Sequence, residues 1–217
     1  MSLTLEALNS SLAPHFLEVL GGFRLEAPEA GLSKSCKSLA LIGPKEPGYF
    51  PHLTSQPEWQ DGRPDPVDRW SRRVIGRLAC DLNAKALFPF GGPPYHPFYS
   101  WALRSGRIWD SPVRLLVHET QGLMVSFRGA LALRESLDFP LAEKPCENCT
   151  KPCTATCPAG ALGEAGYDVP ACHAYLDTPA GEACLNGGCL VRRACPLSTR
   201  YARMEVHSAY HMRQFHP

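Results

Sequence analysis

Eight of the ten cysteines lie between Cys146 and Cys195, and nothing else in the 217-residue chain constrains its folding as strongly. That segment is rich in Gly and Pro and poor in periodic apolar residues. It has little to bury and must be held by its cysteines. Their spacing repeats. Cys146, Cys149, Cys153 and Cys157-Pro158 form one unit, with two, three and three residues between successive cysteines; Cys172, Cys184, Cys189 and Cys195-Pro196 form another. Each unit offers three cysteines and then a Cys-Pro ending.

Disulfides, zinc and iron–sulfur clusters are the competing uses for such a set. The opening "MSLTLEALNSSLAPHFLEVLGGF" lacks a basic leader and an uninterrupted apolar run, and it carries Glu6 and Glu18. This predicts a soluble, cytoplasmic chain, where thiols stay reduced and disulfides are rare. Zinc would use one or two clean Cys-x-x-Cys pairs; here there is one, beside two Cys-Pro endings that zinc does not need. In two-cluster ferredoxins, three cysteines hold one 4Fe-4S cluster and the Cys before proline reaches across to the other. Applied here, Cys146, Cys149, Cys153 and Cys195 hold one cluster, and Cys157, Cys172, Cys184 and Cys189 hold the second. A proline after the crossing Cys fixes φ and donates no N–H, which helps the chain leave the cluster; "AGAL" beyond Pro158 is expected to start a short helix. The spacing departs from the usual ferredoxin pattern. "CTKPC" has three residues between its cysteines instead of two, and the second unit has four and five.

The remaining chain is long enough for a core of its own, with hydrophobic content of 44%. Leu5, Leu8, Leu12, Phe16, Val19 and Leu20 predict a helix, kinked or split at Pro14 and ending at Gly21-Gly22. "GFRLEA" and "SLALIG" read as strands, and residues 43–66 as a proline-punctuated loop pinned by Tyr49, Phe50 and Trp59. "DPVDRWSRRVIGRLACDLN" is an amphipathic helix opened by Asp65 and Pro66, with Val67, Trp70, Val74, Leu78 and Leu82 on one face. "KALFPF" follows as a strand, and "VRLLVHE" with "GLMVSFRGALAL" reads as a hairpin turned at "TQG". Cys36 and Cys80 stand alone and are expected to be ordinary buried residues.

With its order of Cys-Pro, "ACHAYL" and a second Cys-Pro unit, preceded by "SGRIWDSPVRLLVHETQGLMVSFRGALAL", the chain resembles the epoxyqueuosine reductases over residues 87–198. It is similar through them to the reductive dehalogenases. The resemblance implies a nitroreductase-related α/β domain able to carry a corrinoid, fed with electrons by a bicluster ferredoxin-like segment. The catalytic aspartate of that family lies a fixed distance before the Gly-Trp turn; counting back from Trp109 lands on Gly92, and no acid stands nearby. The helical repeats of many of those enzymes are absent as well. Both departures count against epoxyqueuosine reduction itself.

The expected architecture is therefore α+β: a layered body over residues 1–140 and a ferredoxin-like domain with two 4Fe-4S clusters over residues 141–217. The expected function is electron transfer to a redox partner protein or a small-molecule acceptor. One alternative is a reductase with cobalamin or flavin on the body; another is a structural zinc or interaction module. Lys and Arg number 22 against 21 Asp and Glu, a net charge of +1, which gives no field for nucleic acid or an anionic membrane. "FPFGGPPYHPFYSW" reads as a rigid proline-aromatic loop, and its Gly91-Gly92 pair is a weak phosphate cradle with no Lys-Ser/Thr after it. His207, His211 and His216 read as a solvated tail. Arg192 and Arg193 stand beside the second cysteine unit as candidates for tuning a cluster or docking an acidic partner.

Overall fold

The computed structural model describes residues 3–27, 29 and 31–217. It is a mixed α+β chain of two compact units, one of residues Met1–Arg107 with Ser126–Ala142, the other of Ile108–Val125 with Glu143–Pro217. The cysteine-bearing unit thus takes in residues 108–125, which a boundary at 140 would leave with the body.

The first unit is built on an antiparallel sheet. Helix α1 (Leu5–Leu12) starts where the Thr4 hydroxyl accepts from the Ala7 N–H at 3.1 Å, and it buries Leu8 and Leu12. It does not run on to Gly21 as the apolar spacing suggests. Pro14 ends it in one 3-10 turn, Phe16 takes a left-handed φ of 52°, and the chain enters strand β1 (Leu17–Arg24). Val19 and Leu20 suit a strand as well as a helix because β1 is buried on both faces. Strands β2 (Ser38–Pro44), β3 (Lys85–Leu87) and β6 (Gly129–Leu133) complete the sheet in the order β1-β2-β6-β3, every pair antiparallel. β2 and β6 are buried at every residue, which is why "SLALIG" and "GALAL" read as unbroken apolar runs.

Within residues 43–66 the chain forms two short helices, α2 (Tyr49–Thr54) and α3 (Pro57–Gln60). Tyr49 and Phe50 are buried, with Tyr49 edge-on to Trp70 and Phe50 edge-on to Trp59. Helix α4 (Pro66–Asp81) begins at the residues expected and packs on β3 and β6. Gly129 allows that approach: a Cβ there would lie 2.9 Å from the Ile75 Cδ1. Cys80 is exposed on α4, and Cys36 is half-buried, so neither is the buried core residue expected. Helix α5 (Phe98–Arg104) follows the proline-aromatic loop and packs on β1; His96 stacks on Trp101 at 5.6 Å, while Tyr95 is exposed.

In the second unit, the expected hairpin across "TQG" is replaced by a different pairing. Strand β5 (Leu116–His118) pairs back onto β4 (Ile108–Asp110), and β6 joins the sheet of the first unit. The turn between β4 and β5 is closed by Arg114 at φ 59°, with the Ser111 N–H donating to the Leu115 carbonyl at 3.0 Å. At "TQG" the chain does reverse, but the only pairing across it is a single bridge between His118 and Gly122. Pro158 leads through a turn into the small hairpin of β7 (Leu162–Gly163) and β8 (Gly166–Tyr167), in place of the expected helix. Helices α6 (Val169–Leu176), α7 (Glu182–Gly187), α8 (Leu190–Ala194), α9 (Pro196–Arg200) and α10 (Glu205–Phe215) follow. The last is no solvated tail. α10 packs against α7 and buries His207, whose Nε2 stands 3.1 Å from that of His211. No helix among the described residues is long and apolar enough to cross a membrane.

Candidate functional site

All eight cysteines of the repeat fall in the second unit, in turns, at helix boundaries or in short helices. Cys153 sits in a 3-10 turn, Pro152–Ala155, entered through Lys151 at φ 55°. Cys172 lies in α6, whose start is capped by the Asp168 carboxylate accepting from the Ala171 N–H at 3.0 Å. Cys184 lies in α7, Cys189 stands at the N-cap of α8, and Cys195 joins α8 to α9, which Pro196 opens. Proline suits that first helical position because the N–H it lacks would have no partner there.

The charge couplings among the thiols fall into two sets of four. Cys146 has Cys153, Cys195 and Cys149 as charge neighbours, and Cys153 has Cys195 and Cys149. Cys172 has Cys189 and Cys157; Cys184 has Cys189, Cys172 and Cys157. In these couplings Cys195 goes with the first three cysteines and Cys157 with the last three. Burial pushes the thiols of Cys146, Cys153, Cys172 and Cys184 up from their ordinary value, and the neighbouring thiols push in the same direction. None of the ten cysteines is in a disulfide.

Donors point at these sulfurs. The Lys151 N–H donates to the Cys149 Sγ, the Ala161 N–H to the Cys157 Sγ, and the Tyr167 hydroxyl to the Cys172 Sγ, each at 3.3 Å. Burial and that last bond push the Tyr167 hydroxyl well above its usual range, so it keeps its proton. Arg192 is half-buried near Cys189 and Tyr167, its guanidinium donating to the Leu123 carbonyl. Burial lowers its pKa, but a guanidinium stays charged, so a fixed cation stands by the second set. Arg193 pairs with Glu205 at 3.0 Å on the surface. Cys146 lines a cavity of about 390 Å³ together with Asp110, Arg114, Lys151 and Glu164, which gives the first set an edge on a charged surface.

Sequence reasoning took "TQG" for an ordinary turn and missed its part in the site. The buried His118 accepts at Nδ1 from the N–H groups of Thr120 and Gln121, both at 3.2 Å, and this holds the turn. Gly122 then takes φ 58°, and a Cβ on it would stand 2.5 Å from the Ser198 nitrogen and 2.9 Å from the Cys195 Sγ. Ser198 accepts from the Leu123 N–H at 2.9 Å, so the same turn is tied to α9. A glycine next to a turn was the only signal, and it names no partner.

The donor chemistry fits a soft metal centre: each set is four sulfurs with no carboxylate among them. Among the described residues no group of three or more His, Cys, Asp or Glu is arranged to hold one metal ion. No protein-family model matches the chain, and neither the curated proteins nor the solved structures include a similar one.

Proposed function

We propose that the chain is an iron–sulfur electron-transfer protein of the cytoplasm whose second unit carries two 4Fe-4S clusters. The observation behind this reading is the grouping of eight thiols into two sets of four, crossed at the two Cys-Pro endings. Cys146, Cys149, Cys153 and Cys195 would hold one cluster, and Cys157, Cys172, Cys184 and Cys189 the other. Each cluster, when bound, takes up and gives back one electron. The chain's own residues do the rest. They fix the thiolates, aim N–H and O–H donors at them, and leave Cys146 at a charged cavity where a redox partner or small acceptor can approach. Each donor would favour the reduced, more negative state of a cluster bound through the thiolate it touches.

The test is anaerobic purification followed by an ultraviolet–visible spectrum and iron, sulfide, zinc and cobalt analysis of the same sample. A brown protein with about eight iron and eight sulfide per chain is expected, four of each per cluster. A colourless protein carrying zinc contradicts the reading. Corrinoid or flavin bands beside the clusters would make the chain a reductase instead of a carrier.

A further inference from the structure

The second set of thiols has a donor of a kind that the first set does not show. Both sets receive a peptide N–H, from Lys151 onto Cys149 and from Ala161 onto Cys157. Among the described residues a side chain donates to a thiol of either set only on Cys172: the Tyr167 hydroxyl, at 3.3 Å. Tyr167 ends the β7–β8 hairpin, five residues before the sulfur it touches, and the hairpin alone would not fix its ring. A column of rings does. The Phe215 ring, at the last residue of α10, lies 6.0 Å from the Tyr167 ring and 20° from parallel, and on its other contact stacks on His173 at 4.5 Å and 14°. His173 follows Cys172 directly, and His216 beyond Phe215 is tied to Asp177 at 3.1 Å. The carboxyl end of α10 is thereby clamped to α6 with Tyr167 against it.

We infer that Tyr167 sets the reduction potential of the second cluster, its hydroxyl raising that potential by donating to the Cys172 sulfur, and that Phe215 is the residue that positions it. The inference rests on the two-cluster reading. A donor on a thiolate stabilises the reduced cluster, whose extra electron makes the sulfur a better acceptor, so the potential rises. The peptide donors are fixed by the backbone in both sets, whereas the tyrosine donor is set by one side chain and acts on one cluster. This gives the chain a way to hold two chemically identical clusters at different potentials.

The experiment is an anaerobic redox titration with dithionite and mediators, followed by electron paramagnetic resonance, on the full chain loaded with iron and sulfide. Wild type is compared with Tyr167→Phe, which keeps the ring and removes the hydroxyl. One of the two midpoints is expected to fall and the other to stay, with iron and sulfide per chain unchanged. Phe215→Leu, which keeps Tyr167 but frees its ring, is expected to lower the same midpoint by less. If both clusters assemble in both variants and the midpoints stay where they are, or move together, the inference is overturned while the cluster reading stands. A wild-type chain that takes up no iron and sulfide overturns the cluster reading itself, and this inference with it.

Discussion

The two units of the molecule are held together by different means. The first buries Leu39, Leu41, Ile42, Leu131 and Leu133 on a four-stranded sheet and adds Tyr49, Trp70 and Trp101, all nearly without exposure. The apolar cluster of the second is small, and two of its seven buried members, Cys153 and Cys195, are themselves candidate ligands. Hydrophobic burial accounts for the first unit. In the second, the side chains at the centre are the ones that would carry the metal, so fold and cofactor are one problem there. Metal binding to such a segment is folding free energy.

That contrast can be broken most sharply by removing the metal. Iron chelation under air is expected to unfold the second unit and leave the first folded, read by amide hydrogen exchange across both. Equal protection of both units before and after would contradict the division. Replacing one thiol is the next largest effect. Cys153→Ala is expected to lose one cluster's worth of iron and to loosen residues 143–217, measured by iron content and exchange together. Its counterpart in the sheet, Leu41→Ala, is expected to cost about 3 kcal/mol in denaturant unfolding of the first unit, with iron content unchanged.

Gly122→Ala sharpens the comparison at a smaller scale. The substitution forces a Cβ at φ 58° against the Ser198 nitrogen and the Cys195 Sγ, and roughly 1 to 3 kcal/mol of strain is expected in the second unit alone. A smaller effect belongs to the first unit. Burial, and the charge of Arg73, hold His52 below the ordinary imidazole value of 6.5, and burial, His52 and Arg73 do the same for His15. The folded chain therefore resists protons that the unfolded chain accepts. Stability of the first unit is expected to be full above pH 6.5 and to fall as pH drops below it, and His52→Gln should flatten that slope in denaturant titrations. An unchanged slope would show that His52 is not its source.

What could be read from the chain divides along the same line. The two cysteine units were legible because their residues recur at short spacing and each ends in Cys-Pro, but the irregular gaps of four and five residues in the second left the pairing of individual cysteines open. α4 was legible from Pro66 in its first turn and the buried Val67, Trp70 and Val74, whereas Leu78 and Leu82 of the expected stripe are only half-buried and Ile75 and Ala79 take the inner face. β1 was not, because a strand buried on both faces has no alternation, and Val19-Leu20 satisfies either period. The partner of β6 was equally hidden: a branched apolar run says that it will pair, and not with which strand. His207 was misjudged because burial of α10 depends on α7, which only the folded second unit brings to it. The Tyr167 donor and the Gly122 contact depend on tertiary approach as well, and no local pattern encodes them.

The most direct test of the central claim is native mass spectrometry of the anaerobically prepared chain, which weighs the protein with its inorganic content intact. Two 4Fe-4S clusters on each chain is the result expected here. A chain that carries zinc, a single cluster, or no metal at all would contradict it.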